Sequence, residues 1–131
     1  ERYRCEDART VIVTMGSMCG TARDAVDAMR EAGQPVGLLK VRLYRPLPVE
    51  ALRAALAAVP EVIVLDRNYS PGCGGVLHQE LRSALYGMAD APTIRGLLAG
   101  VGGVNVPPER IREFVRNAAS YDSGPESVWV S

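Results

Sequence analysis

Short apolar runs, each cut off by a glycine or a polar loop and each followed by an amphipathic segment, restrict what this chain can fold into more than any other feature. The first run, Thr10 to Met15 (TVIVTM), is rich in β-branched residues and stops at Gly16. It has no polar face to turn toward water, so it suits a strand covered on both sides. The segment behind it puts Ala22, Ala25, Val26, Met29 and Ala32 on one helical face and Arg23, Asp24, Asp27, Arg30 and Glu31 on the other. Thr21 with Asp24 reads as a capping pair for this helix, Ser17 is the competing cap, and Gly33 supplies the C-terminal stop.

The alternation continues. Pro35 to Leu43 (PVGLLKVRL) reads as a second strand with Lys40 and Arg42 on its exposed side. Pro46 and Pro48 break it and open a helix whose stripe is Leu52, Ala55, Leu56 and Val59, closed by Pro60. Glu61 to Leu65 (EVIVL) is a third buried strand, ending at Asp66 in the polar loop DRNYSPGCGG. Leu77, Leu81, Ala84, Leu85 and Met88 repeat at helical spacing. Thr93 to Ala99 (TIRGLLA) is a weaker strand because Gly96 interrupts it, and GVGGVNVPP follows as a turn-rich loop. Pro108 then opens a last helix with Ile111, Phe114, Val115 and Ala118 inward. The tail YDSGPESVWVS has no period; it is predicted to be extended, with Trp129 and Val130 packed on this domain or on a neighbouring chain.

Strands alternating with helices predict a three-layer α/β/α sandwich around a largely parallel sheet. A chain of 131 residues with 47% apolar composition can build one such core. The expected organisation is one domain over residues 1–120 and an extended tail over 121–131, with no internal repeat. The first residues lead straight into a strand-like run without a methionine, which suggests a piece of something longer.

Fifteen basic residues balance fifteen acidic ones and no like-charge block occurs, so neither a nucleic-acid groove nor an anionic membrane surface is indicated. No apolar run approaches the ~20 residues that span a bilayer. Cys5, Cys19 and Cys73 are odd in number and far apart, without the C-x-x-C pairs of structural zinc or iron–sulfur sites. They read as reduced, idle thiols of a cytoplasmic protein, and no metal site is expected.

Ligands of open α/β sheets favour the loops at the carboxyl ends of strands. Two loops qualify. Gly16-Ser17-Met18-Cys19-Gly20 leads into a helix whose free amides attract anions, but it lacks the G-x-G-x-x-G of dinucleotide sites and the lysine of a P-loop. Plain chain reversal is the simpler reading of that turn. In the second loop, Asp66 and Arg67 stand at a strand mouth, and Gly72, Gly74 and Gly75 allow close approach of backbone. Here a capping Asp66 and a salt-bridging or subunit-contacting Arg67 stand beside a ligand-binding reading. The candidate ligand or interface residues are therefore Gly16, Ser17, Gly20, Asp66, Arg67, Gly74 and Gly75. His78, the one histidine, has no carboxylate or nucleophile at a telling spacing, so it reads as a helix-surface residue and no catalytic residue is assigned.

The order of segments also resembles a known family. VIVTMGSMCGTARDAVDAMREAGQPVGLLKVRLYRPLPVEALRAAL followed by VIVLDRN is similar to the C-terminal domain shared by transketolase-like thiamine diphosphate enzymes. Tyr44-Arg45-Pro46-Leu47-Pro48, the Asp66-Arg67 pair with its glycine-rich continuation, LHQELRSALY and GLLAGVGGVNVPPERI bring it closest to domain II of the 2-oxoacid:ferredoxin oxidoreductases, in the α subunit of pyruvate or ketoisovalerate ferredoxin oxidoreductase. One departure is Val104, where the family commonly has arginine after its G-x-G-G run.

The resemblance implies a five-stranded, mostly parallel mixed sheet with an antiparallel edge strand at Arg2 to Cys5, and it makes the two glycine loops neighbours across the point where strand order reverses. It implies that this piece binds no cofactor itself, thiamine diphosphate and iron–sulfur clusters belonging to other parts of the parent enzyme. It further implies a structural role among the other domains and subunits, with ferredoxin and coenzyme A as partners of the whole complex. Two competing expectations are the equivalent domain of a transketolase or pyruvate-dehydrogenase-type enzyme, and a small-molecule-binding module using both glycine loops.

Overall fold

The structure, a computed structural model, describes residues 1–42, 47–70, 74–101, 105–121, 124 and 126–130. Leu43, Tyr44, Arg45, Pro46, Gly72, Cys73 and Val104, singled out above, lie outside the described residues. In chain order the elements are β1 (Arg2–Tyr3), β2 (Thr10–Thr14), α1 (Met18–Glu31), β3 (Val36–Lys40), α2 (Val49–Leu56), β4 (Glu61–Asp66), β5 (Tyr69–Ser70), β6 (Gly74–Gly75), α3 (Val76–Leu85), β7 (Thr93–Leu98), α4 (Pro108–Arg116) and β8 (Val128–Trp129).

Side-chain alternation along the strands sets the layers. Ile12, Leu38, Ile63 and Leu97 point to one face and meet Ala22, Val26 and Met29 of α1 and Ile111 and Phe114 of α4. Val11, Val13, Leu39, Val62, Val64 and Ile94 point to the other and meet Leu52 and Leu56 of α2 and Leu77, Leu81 and Leu85 of α3. Both faces of the central strands are dry, which is why those strands read as unbroken apolar runs. The three-layer α/β/α sandwich expected from the sequence is the observed fold.

The sheet runs β1-β3-β2-β4-β7-β8, with β1 antiparallel to β3 and every other neighbour pair parallel. The antiparallel edge strand is present as Arg2–Tyr3. The tail adds a sixth strand: Val128 and Trp129 pair with Leu97 and Leu98, and the Val130 amide donates to the Leu98 carbonyl at 2.9 Å. Val130 is buried on this domain while Trp129 keeps 58% of its surface exposed.

Three local readings are corrected. Thr21 and Asp24 do not cap α1, because the helix starts a turn earlier at Met18 with Ser17 in the cap position. The DRNYSPGCGG loop contains the short antiparallel pair β5–β6. Gly96 does not interrupt β7, which pairs with β4 through Val64↔Gly96. A Cβ at Gly96 would lie 2.0 Å from Nδ1 of His78, so this glycine makes room for the imidazole packed over the sheet.

The amino ends of the strands are closed by polar contacts: Thr10 Oγ1 donates to Glu61 Oε1 at 3.0 Å, Arg95 ion-pairs with Glu61, and Arg95 Nε donates to the Tyr121 carbonyl. On the far face, Arg53 of α2 donates to the carbonyls of Ala84 and Tyr86 at 2.7 and 3.0 Å, satisfying acceptors that the end of α3 leaves over.

Gly96→Ala is expected to lower the stability of the chain by about 1–3 kcal/mol, the usual range for overpacking a filled site. The same change made in a His78→Ala background costs less, because the methyl then enters the space left by the ring. Urea unfolding of the two single variants and the double variant measures that difference.

Candidate functional site

The chain leaves β2 for β3 on one side, then returns past β2 to β4 on the other. The loop after β2 therefore turns toward α1 on one face, the loop after β4 leads to α3 on the opposite face, and a gap opens between them. A cleft of about 550 Å3 occupies that gap, lined by Met15, Gly16, Ser17, Leu65, Asp66, Arg67, Asn68, Val76, Leu77 and Gly100. Gly16, Ser17, Asp66 and Arg67 of the sequence candidates thus meet in one place. Gly20 lies a turn along α1, and a Cβ built there meets nothing within 4 Å. Gly74 and Gly75 form β6, beside the cleft wall rather than in it.

Gly16 has φ +73°, so the backbone reverses there in a conformation that side chains resist. Ser17 makes no side-chain cap bond to α1. Its Oγ instead accepts a hydrogen bond from Arg67 Nη1 at 3.0 Å, while Arg67 Nε reaches the Gly100 carbonyl at 3.4 Å. Arg67 ties together the loops that follow β2, β4 and β7. A guanidinium carries five N–H donors, and these contacts use two.

Asp66 is the last residue of β4 and is buried. Oδ1 accepts the Leu77 amide and Oδ2 the His78 amide, each at 2.9 Å, so the carboxylate caps the first turn of α3. A Cβ at Gly75 would stand 2.3 Å from Oδ2, which makes glycine the residue that lets the carboxylate in. Burial pushes the Asp66 carboxyl above its ordinary value, and the two amide bonds pull against that shift. Asp66 thus caps the start of α3 and also stands in the lining of the cleft.

His78 is corrected from a helix-surface residue to a fully buried one. The first turn of α3 faces the sheet, and the notch at Gly96 accepts the ring. Nδ1 lies 2.8 Å from Ser127 Oγ, and Nε2 has no hydrogen-bond partner among the described residues. Burial, assisted by the charge of Arg82, lowers its pKa from 6.5 to about 4. The sequence signal for this burial was Gly96 itself, because a glycine within a strand marks close approach by another group.

Cys5 Sγ donates to the Leu38 carbonyl at 3.2 Å and Cys19 Sγ to the Thr14 carbonyl at 3.7 Å. Burial raises both thiol pKa values, which disfavours the thiolate that an iron–sulfur cluster requires. Asp66 has both oxygens committed to amides. These donors do not fit a cluster or a metal-bound pyrophosphate, and among the described residues no group of three or more His, Cys, Asp or Glu could hold a metal ion. No helix among them is long and apolar enough to cross a membrane.

A largely parallel sheet covered on both faces, with its cleft where strand order reverses, is the layout of an open, doubly wound α/β domain. Residues 8–111 match the family model described as pyruvate:ferredoxin oxidoreductase core domain II, and the chain belongs to that family. It is 41% identical over 116 residues to pyruvate synthase subunit PorA of Methanothermobacter thermautotrophicus, covering 88% of this chain and 29% of the relative. It is 40% identical over 128 residues to ketoisovalerate oxidoreductase subunit VorA of Pyrococcus furiosus, covering 95% and 32%. The chain thus spans about three-tenths of the length of these relatives.

Among solved structures, a 2-oxoglutarate:ferredoxin oxidoreductase from Magnetococcus marinus, with 2-oxoglutarate, coenzyme A and succinyl-CoA bound, superposes with TM-score 0.66 at 26% identity over 89% of this chain and 19% of that one. A split-gene transketolase, an inactive β4 tetramer, superposes with TM-score 0.67 at 16% identity over 92% and 43%, and shares the fold.

The buried histidine makes folding pH-dependent. His78 titrates near 6.5 when unfolded and at about 4 in the fold, so between those values the unfolded chain binds the extra proton. Its contribution is complete above pH 6.5 and drains away as pH falls to about 4, a loss of roughly 3 kcal/mol. His78→Gln is expected to remove that part of the slope, as read from urea unfolding midpoints between pH 7 and pH 4.

Proposed function

We propose that this chain is an assembly domain in the α subunit of a thiamine diphosphate-dependent 2-oxoacid:ferredoxin oxidoreductase. The observation that carries this reading is the match to the domain II family, with about 40% identity to α-type subunits over nearly the whole chain. The complete enzyme oxidatively decarboxylates pyruvate or a branched-chain 2-oxoacid, passes two electrons to ferredoxin and transfers the acyl group to coenzyme A. It works in the cytoplasm, with thiamine diphosphate and iron–sulfur clusters held by other domains and subunits. This domain supplies no catalytic group; residues 1–120 form the domain proper and 121–131 its tail.

In this reading the rim of the cleft is the contact surface. Gly16, Ser17 and Gly20 on one side and Asp66, Arg67, Gly74 and Gly75 on the other offer backbone and one cation to a neighbouring domain. What supports it is that Arg67 already joins three loops of the rim and keeps donors for a further acceptor. The transketolase reading has only a shared fold behind it, at 16% identity.

Arg67→Ala is expected to weaken association of the α subunit with the rest of the enzyme by tenfold or more, while the unfolding midpoint of the subunit moves by only a few degrees. Sedimentation velocity on the assembled enzyme measures the first and scanning calorimetry the second. The opposite pattern, a large stability loss with unchanged assembly, would reduce Arg67 to an internal brace.

The 550 Å3 cleft supports a second reading, a small-molecule pocket between the glycine loops. Titrating coenzyme A into the chain by calorimetry separates the two: an assembly domain gives no binding heat, and a micromolar isotherm would favour the pocket.

A further inference from the structure

Beyond any contact at the cleft rim, the tail and the wall of the cleft share one hydroxyl. Ser127 Oγ accepts the Gly75 amide at 2.9 Å and lies 2.8 Å from His78 Nδ1. Gly75 and His78 flank the start of α3, where Asp66 holds the amides of Leu77 and His78 and the Val76 amide reaches the Asn68 carbonyl at 3.4 Å. Each of the four amides from Gly75 to His78 is therefore taken by a named acceptor: Ser127, Asn68 and the two oxygens of Asp66. Four of these residues, Asp66, Asn68, Val76 and Leu77, also line the cleft.

Ser127 reaches this turn because the residues after it are fixed to the sheet. Val128 and Trp129 pair with β7, the Val130 amide donates to Leu98, and the Val130 side chain is buried. Before it, the Gly124 carbonyl accepts from Arg82 Nη1 at 3.4 Å, one turn further along α3. The tail thus crosses α3 and grips it at two points, the nearer one on a histidine that has no other side-chain partner among the described residues.

We propose that Ser127 is a positioning residue, through which the tail residues 127–130 act as a strap that fixes the first turn of α3 and with it the Asp66 side of the cleft. The physical reason lies in how that turn is held. The ring of His78 sits in the notch at Gly96 with its Nδ1 held by Ser127, so losing the hydroxyl leaves Nδ1 and the Gly75 amide unsatisfied in a buried place, and a local opening that exposes them to water becomes the cheaper arrangement. The other wall of the cleft, at Gly16 and Ser17, has no contact with the strap among the bonds described and should not respond.

The test is hydrogen exchange by mass spectrometry on the full-length subunit in its complex, comparing wild type with Ser127→Ala and Val130→Ala. For Ser127→Ala, exchange in peptides covering residues 74–80 is expected to rise by about fivefold or more, fivefold being the effect of one of the two buried hydrogen bonds lost, with peptides of α1 and α4 unchanged. Val130→Ala loosens the strap's apolar anchor but keeps the hydroxyl, and is expected to raise exchange in 124–130 well before 74–80. Wild-type exchange at 74–80 in Ser127→Ala would overturn the proposal. A uniform rise over all peptides would overturn it equally, since that would make Ser127 a contributor to global stability and no more.

Discussion

Burial of the central strands on both faces is the constraint from which the rest of this structure follows. Val11 to Val13 and Val62 to Leu65 expose next to nothing, so a helix must lie over each side of β2 and β4. The chain meets this by going out from β2 in one direction along the sheet and returning in the other, which puts α1 and α4 on one face and α2 and α3 on the other. The loops at the carboxyl ends then part company. The cleft is the geometric residue of covering the sheet, and it forms there whatever group the cleft later receives.

The two ends of the sheet are finished differently. At the amino end, Thr10, Glu61 and Arg95 close the strands with side-chain contacts, and the ends of β2, β4 and β7 are held in register. At the carboxyl end, polar side chains turn back to serve backbone: Asp66 caps α3, and Arg67 reaches the Ser17 hydroxyl and a carbonyl after β7. Asp66 is thereby spent on structure, and Arg67 is the cationic candidate that retains donors toward the cleft.

What the amino acids disclosed on their own follows the range over which each signal acts. Strands and helices were readable because β-branched runs and 3.6-residue spacing are local, and the resemblance in segment order reached the family that residues 8–111 match. Helix starts were harder: Thr21 and Asp24 look like a cap, yet the packing of Met18 and Ala22 draws the helix back by a turn. His78 was misplaced because nothing near it in sequence tells that β7 carries a notch at Gly96, eighteen residues on and in another layer. The sixth strand was equally hidden, since the tail has no period and gains its shape only from β7. Gly16, Ser17, Asp66 and Arg67 could be picked out as loop candidates, but that they line one cleft depends on strand order.

Gly75 against Asp66 and Gly96 against His78 are complementary pairs, an absent side chain matched to a polar one that occupies its volume. Substitutions at these four sites are consequently coupled in pairs: a side chain added at position 96 competes with the imidazole at 78 for one volume, and one added at position 75 competes with the carboxylate at 66, so neither member of a pair changes size independently of the other.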